Sequence, residues 1–196
     1  MHAMSLERTS PDEVPGSLGP VLASRREAHA LLVVGGSNLL LVGLIDRPTG
    51  DLDVIGLSEQ SAYRKLVELP EPLRRAAAEV GLAFDLSERW LNTDAASLMD
   101  SELPPGWRER IEIRRYGALE PHLTSRFDQI CFNFWAAVDA GPKSKHFVDL
   151  VALSPTDAEL AVAAEWTADR DISDAFSTLI AQCVDAVKGA TRDDDR

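Results

Sequence analysis

Short hydrophobic runs in the first half of the chain predict buried β-strands. Leu31–Gly35 and Leu52–Leu57 are rich in valine, leucine and isoleucine, and glycine or proline residues lie close to each run. Between the two runs, either Ser37 or Asn38 is suited to cap a helix that continues through Leu44, because both side chains can accept a hydrogen bond from a free backbone N–H.

A helical region and a second pair of strands are predicted farther along the chain. Ser61–Gly81 has the pattern of helices interrupted by Pro70 and Pro72. Arg110–Arg114 alternates like a strand whose isoleucines point inward, and Leu119–Leu123 is expected to pair beside it.

The second half of the chain has the periodicity of helices. Ser125 and Thr156 each begin a capping box, with an acidic residue three positions later. Ser173 is placed to cap a last helix that runs through Val187. We therefore predict an α+β fold, in which a small mixed β-sheet core carries a C-terminal helical bundle.

Four segments are expected from these patterns. Residues 1–17 are polar and contain prolines and a glycine, which predicts a flexible leader. Residues 18–124 would form the core, beginning with a helix around Val21–Ala30, and residues 125–189 would form the helical part packed on it. The charged residues 190–196 are expected to be disordered.

Composition and charge narrow the classes of function. The net charge of −12 does not favour binding to a nucleic-acid backbone and argues against a dedicated DNA-binding protein. No hydrophobic run is long enough for a membrane helix, no signal peptide is evident, and Cys131 and Cys183 fit a reduced core. These features predict a cytoplasmic protein with no membrane association. An RNA substrate stays open, because local basic residues coexist with the acidic total: Arg108, Arg110, Arg114 and Arg115.

Candidate chemistry is concentrated around the first two predicted strands. The turn at Gly35, Gly36 and Ser37 opens a helix, where backbone N–H groups are available to a phosphate. Asp51 and Asp53 follow on the next strand, two residues apart, so both carboxylates face one side. Paired carboxylates are hard oxygen ligands that can hold a divalent cation. The motif therefore indicates a metal-dependent site that handles nucleotides.

The order strand, Gly-Gly-Ser, helix and Asp-x-Asp strand resembles the signature of the nucleotidyltransferase superfamily. Within it, the segment Arg47-Pro48-Thr49-Gly50-Asp51-Leu52-Asp53 is similar to the Arg-x-Ser/Thr-x-Asp-x-Asp motif of the abortive-infection toxin group, AbiEii and the related MenT toxins. The later segment Lys145-His146-Phe147-Val148-Asp149-Leu150 resembles a second motif of that group. The resemblance spans roughly residues 30–170, and only the first motif is sharply specific.

The resemblance implies roles for individual residues. Asp51 and Asp53 would bind one or two Mg²⁺ ions, and Gly36 and Ser37, next to Gly35, would hold the β- and γ-phosphates. Asp149 would be the third acidic residue, with Glu112 as its rival, and Lys145 would contact or orient a phosphate.

Three positions near these motifs each have two possible roles. Arg47 would either reach a phosphate or brace its loop through an ion pair with Asp46 or Asp53. Thr49 would either accept a modification or hydrogen-bond to Asp51. The lysine that the family carries on a helix falls at Asn133 here, so either Lys143 or Lys145 replaces it or the activity is weakened or lost.

The resemblance implies an enzyme that transfers a nucleoside monophosphate from an NTP to a hydroxyl group. The acceptor would be a tRNA 3′ end or a protein, and the setting a toxin–antitoxin pair with an antitoxin protein as partner. The alternative is a catalytically degenerate domain of the same fold that binds a nucleotide or a protein partner without turnover. A purely structural protein, in which the acidic pair is incidental, is the third hypothesis.

Overall fold

The chain folds into two compact units, residues 1–124 and residues 125–196. The computed structural model describes residues 11–46, 49–60 and 62–194, with side chains described through residue 191. In these residues the fold is α+β, with seven α-helices and one mixed six-stranded sheet, which confirms the predicted fold class. The division between the units coincides with the predicted boundary between the core and the helical part.

A mixed sheet forms the centre of the first unit. Its strands are β1 (His29–Val34), β2 (Leu52–Glu59), β3 (Ala62–Lys65), β4 (Leu91–Asn92), β5 (Glu112–Ile113) and β6 (Leu119–Leu123). The order across the sheet is β3-β2-β1-β6-β5, and β4 pairs with the start of β2. Strand β1 is antiparallel to β2 and parallel to β6. The end of β1 therefore lies beside the start of β2, where the glycine and carboxylate motifs are located.

Three helices accompany this sheet: α1 (Glu13–Ser24), α2 (Gly35–Leu41) and α3 (Glu71–Ala83). Leu18 and Leu22 of α1 and Leu73 of α3 are fully buried in one hydrophobic core with sheet residues such as Leu31 and Val54. Burial of each such side chain stabilises the fold by about 1.5–3 kcal/mol. One side of the sheet is thus held by α1 and α3.

The predicted leader and first helix differ from the structure. The helix α1 already begins at Glu13, where a flexible leader was expected, and it ends at Ser24, before the predicted end at Ala30. Prolines and glycines lower the intrinsic helix propensity of this segment. Burial of Val14 and Leu18 against the rest of the unit stabilises the helix in spite of that propensity. Residues 1–10 lie outside the described residues.

Two further predictions in this unit were wrong. The region predicted as interrupted helices contains strand β3 followed by the single helix α3, with Pro70 at its N-cap and Pro72 in its first turn, where proline needs no N–H partner. Ile113 was expected to point inward but is 47% exposed, because β5 is a two-residue strand at the edge of the sheet. The predicted pairing of that strand with Leu119–Leu123 is confirmed.

A chain of hydrogen bonds connects β3 with β6, which are not neighbours in the sheet. The Tyr63 hydroxyl lies 2.6 Å from His122 Nδ1, and His122 Nε2 lies 2.9 Å from Glu120 Oε1. Arg115 Nε donates to the other carboxylate oxygen of Glu120 at 2.7 Å. These bonds from His122 and Arg115 lower the pKa of Glu120 below its ordinary value. The buried ring of His122 thereby braces β3 against β6.

The second unit consists of α4 (Arg126–Ala140), α5 (Lys145–Ala152), α6 (Asp157–Ala168) and α7 (Asp174–Asp194). Both predicted capping boxes are present: the Ser125 and Thr156 side chains accept from the backbone of the residue three positions later. The Ser173 hydroxyl accepts from the Phe176 N–H at the start of α7, as predicted. Helix α7 continues through 190–194, which were expected to be disordered, and residues 195–196 lie outside the described residues.

One arginine joins three helices of the second unit. The Arg126 guanidinium, at the start of α4, donates to the carbonyl oxygens of Leu153 and Ser154 at the end of α5. Its Nη1 also lies 2.5 Å from Glu159 Oε1 in the first turn of α6. Burial raises the pKa of Glu159, but the bonds from Arg126 and Thr156 outweigh burial and lower it overall.

Arg126→Lys is expected to destabilise the second unit by about 1.5–3 kcal/mol, because an ammonium group cannot reach both carbonyls and the carboxylate together. The measurement is the midpoint of urea unfolding, together with the hydrogen-exchange rates of backbone amides in α5 and α6, which report on the second unit. Arg75→Lys, in an exposed pair with Glu71, is the control and should change stability by less than about 0.5 kcal/mol. Equal midpoints for the two variants would contradict the prediction.

The pair of Arg126 with Glu159 should also make stability depend on pH. Because the pKa of Glu159 is lowered in the folded state, the stabilisation by this pair should be present above pH 4.5 and disappear below it.

Candidate functional site

Asp53 is positioned by the close approach of β2 to the glycine turn. It lies opposite Val34, the last residue of β1, and Gly35 follows with φ +74°. A Cβ atom at Gly35 would lie only 2.5 Å from Asp53 Oδ2, so a side chain at this position would collide with the carboxylate. The missing side chain and the left-handed backbone of Gly35 together let the carboxylate lie against the turn.

Asp51 is the more accessible of the two carboxylates. It immediately precedes β2 and is exposed. Within residues 11–46, 49–60 and 62–194, its carboxylate has no hydrogen bond or ion pair. It lies two residues before Asp53, the spacing that puts the side chains of an extended segment on one face. Asp51 thus offers oxygen atoms to solvent next to a carboxylate that is held in place.

Two buried hydroxyl groups connect the glycine turn with the segment before β2. Ser37 Oγ lies 2.5 Å from Thr49 Oγ1, and both residues are 8% exposed. The Ser37 hydroxyl also donates to the carbonyl oxygen of Asp51. A hydrogen bond of Thr49 to Asp51 was one of the two alternatives for this residue. Among the described residues the Thr49 hydroxyl instead bonds to Ser37, which in turn bonds to the Asp51 carbonyl.

Asn38 has a structural role that the sequence did not reveal. Its amide Nδ2 donates to the Thr124 carbonyl at 2.9 Å, and its Oδ1 accepts from the Thr124 N–H at 2.8 Å. Neither Ser37 nor Asn38 caps α2, because the N-cap is Val34 and has no side-chain hydrogen bond. The available signal was an asparagine directly before the apolar run Leu39–Val42, and the structure shows it to be fully buried. The residue fixes α2 to the end of β6.

A small recess lies beside these hydroxyl groups. It has a volume of about 30 Å³, and Ser37, Thr49 and Asp51 line it together with Pro11 and Val14 at the beginning of α1. This is room for about one water molecule and is far too small for a nucleotide. The recess is therefore not a ligand pocket.

Glu112, the rival third carboxylate, lies apart from Asp51 and Asp53. Strand β5 is three positions from β2 in the sheet, which corresponds to roughly 14 Å at the usual strand spacing. Its carboxylate instead accepts a hydrogen bond from Arg114 Nε at 2.9 Å. The sheet order thus argues against Glu112 as a ligand of the same ion.

The other predicted site residues belong to the second unit. Lys145 is exposed and Asp149 is buried, and both lie on α5. Asn133, at the position of the expected lysine, is buried on α4 and donates from Nδ2 to the Gln129 carbonyl at 3.0 Å. A joint site of Lys145 and Asp149 with the carboxylates of the first unit stays a prediction.

The basic residues considered for RNA binding are largely engaged with other groups. Arg114 pairs with Glu112 and Asp12, and Arg115 pairs with Glu120. The Arg108 guanidinium lies over the Trp107 ring, 5.0 Å from its centroid. These contacts reduce the positive potential available to a phosphate backbone. Arg47 lies outside the described residues.

No cluster of three or more histidine, cysteine, aspartate or glutamate side chains in the described part of the chain is arranged to hold a metal ion. None of the helices described is long and apolar enough to cross a membrane. Comparisons with protein-family models, with curated proteins and with solved structures find no match for this chain.

Proposed function

We propose that the chain is a metal-dependent nucleotidyltransferase, which moves a nucleoside monophosphate from an NTP to a hydroxyl acceptor. The observation that carries this proposal is the contact of the Asp53 carboxylate with the Gly35 turn, with the exposed Asp51 two residues away. The family resemblance of these motifs points to the same chemistry.

The residues present fit Mg²⁺. Mg²⁺ is commonly held by one or two carboxylates, and substrate phosphates and water complete its coordination. Asp51 and Asp53 would be those two carboxylates, so a third protein ligand within the first unit is not required. When bound, the ion would neutralise the charge that develops on the triphosphate.

In this reaction the acceptor oxygen attacks the α-phosphorus, and the bond from that phosphorus to the bridging oxygen of the pyrophosphate breaks. The acceptor hydroxyl gives its proton to water, and pyrophosphate leaves. Asp53, held against Gly35, would keep a fixed position, whereas Asp51 would adapt to the substrate. Lys145 and Asp149 would contribute from the second unit, as the resemblance implies. The acceptor would be the hydroxyl of an RNA, such as a tRNA 3′ end, or of a protein such as an antitoxin.

The test is incubation of the full chain with each labelled NTP, Mg²⁺ and total RNA, followed by separation of RNA from protein. Wild type is expected to transfer label, and Asp51→Asn and Asp53→Asn are expected to lower the rate at least about 100-fold. Asparagine keeps the volume of aspartate but removes the charge. Asp100→Asn is the matched control, because Asp100 is exposed and pairs only with Lys65 in the described residues.

Three outcomes separate the hypotheses. Label on RNA or on protein identifies the acceptor class. Transfer that survives both Asp51→Asn and Asp53→Asn would overturn the proposed site. No transfer by wild type with any NTP would overturn the enzymatic proposal.

Asn133 favours a second candidate, a degenerate domain that binds a nucleotide or a protein without turnover. Its amide is occupied by a bond within α4, and an amide cannot neutralise phosphate charge as a lysine does. This candidate predicts NTP binding by equilibrium titration without release of pyrophosphate. Absence of NTP binding by wild type would remove its nucleotide-binding form.

A further inference from the structure

The peptide unit between Asp51 and Leu52 is held at both of its polar groups. The carbonyl oxygen of Asp51 accepts from the Ser37 hydroxyl. The N–H of Leu52, on the same planar peptide, donates to the carbonyl oxygen of Trp90. Because this peptide links Asp51 to the residue that precedes Asp53, its orientation helps to set how Asp51 stands relative to Asp53.

The hydroxyl groups of Ser37 and Thr49 both donate their hydrogen bonds to oxygen atoms of the protein. A hydroxyl has one proton to donate. The Ser37 proton goes to the Asp51 carbonyl, so the 2.5 Å bond between the hydroxyls requires Thr49 to donate to Ser37 Oγ. Neither hydroxyl can donate to a phosphate while these bonds persist. Both residues are also 92% buried, so neither is presented at the surface.

We propose that Ser37 and Thr49 are positioning residues for the metal-binding carboxylates, and that they are not ligands of the phosphates. The inference rests on the proposed function and deepens it. Thr49 orients Ser37, and Ser37 holds the Asp51–Leu52 peptide, so the two hydroxyls act on the metal through Asp51. In other metal sites, mutation of a group that hydrogen-bonds to a metal ligand commonly weakens metal binding by roughly 10- to 100-fold.

Thr49→Val is the decisive variant, because valine has nearly the shape of threonine but no hydroxyl. We expect Mn²⁺, used as a paramagnetic substitute for Mg²⁺, to bind about tenfold more weakly, as measured by the EPR signal of free Mn²⁺. The Leu52 amide should exchange about tenfold faster in the variant. The affinity for an NTP without metal should stay unchanged.

Two matched variants separate the hydroxyl from its surroundings. Thr49→Ser keeps the hydroxyl and should restore Mn²⁺ affinity and Leu52 exchange to within about threefold of wild type. Thr178→Val makes the same change on the surface of α7, where the threonine hydroxyl bonds to the Asp174 carbonyl among the described residues, and should leave both unaltered.

The possible results are distinguishable. Unchanged Mn²⁺ affinity with weaker metal-free NTP binding in Thr49→Val would overturn the inference and make the hydroxyls phosphate ligands. Equal behaviour of Thr49→Ser and Thr49→Val would also overturn it. If wild type binds no Mn²⁺, or binds it as Asp53→Asn does, the proposed metal-dependent function fails and so does the positioning of a metal. The exchange rate of Leu52 still decides whether the two hydroxyls hold this segment.

Discussion

An alanine at Gly19 is expected to destabilise the first unit strongly. Gly19 lies in α1 where the helix crosses the backbone of Tyr116, and a Cβ at Gly19 would overlap the Tyr116 carbonyl oxygen. A backbone carbonyl cannot rotate away as a side chain can, so α1 would have to leave the sheet. Overpacking usually costs about 1–3 kcal/mol, and more when backbone must move. We expect a loss of at least about 3 kcal/mol, a large part of the stability of a typical domain.

The measurement is urea unfolding combined with amide exchange of β1 and β6, which report on the first unit alone. Gly16→Ala is the matched control in the same helix, because its Cβ would meet only Tyr116 Cδ1 at 3.9 Å, an ordinary contact. Alanine is favoured over glycine in helices by roughly 1 kcal/mol, so this control should be neutral or stabilising. Equal midpoints for Gly16→Ala and Gly19→Ala would contradict the expected collision.

An alanine at Gly35 is expected to damage both the fold and the candidate metal site. The φ of +74° costs an L-residue roughly 1–2 kcal/mol, and the Cβ would lie 2.5 Å from Asp53 Oδ2. The carboxylate would have to turn away from the position in which it is held. We expect a destabilisation of about 2–4 kcal/mol in total and at least a tenfold weaker binding of Mn²⁺.

Gly43→Ala is the matched control, because it introduces the strain of a positive φ without a collision with a carboxylate. Gly43 has the same φ of +74°, but nothing lies within 4 Å of the Cβ that alanine would add. It should therefore lose only the stability that the backbone conformation costs and should leave Mn²⁺ binding unchanged. If both variants weaken Mn²⁺ binding equally, or neither does, the contact between Gly35 and Asp53 does not position the carboxylate for a metal.

Interactions local in the chain were predictable from the sequence. The capping boxes of Ser125 and Thr156 join residues three positions apart, so their geometry depends little on the rest of the fold. The helix α1 shows the opposite case. Its prolines and glycines argue against a helix, and Gly19 is required only because another segment, at Tyr116, packs against it. No local sequence pattern around Gly19 predicts its contact with Tyr116, which lies almost a hundred residues later in the chain.

The candidate site divides in the same way. The spacing of Asp51 and Asp53 on a strand, and the glycine turn before them, were evident from the residues themselves. The hydrogen bonds of Ser37 to Thr49 and to Asp51 were not, because they depend on the path of the chain between the turn and β2. The contact of Asn38 with Thr124 joins residues 86 positions apart and was equally out of reach.

The sequence by itself therefore determined the fold class, the division near residue 124 and the spacing of the acidic pair, because periodicity, capping and residue type are local properties. Tertiary structure decided which hydroxyl holds Asp51, that a glycine must face Asp53, and that Glu112 lies three strands from β2. Strand order and close packing depend on contacts between segments that are distant in the chain. A local pattern of residue types does not specify which distant segments pack together.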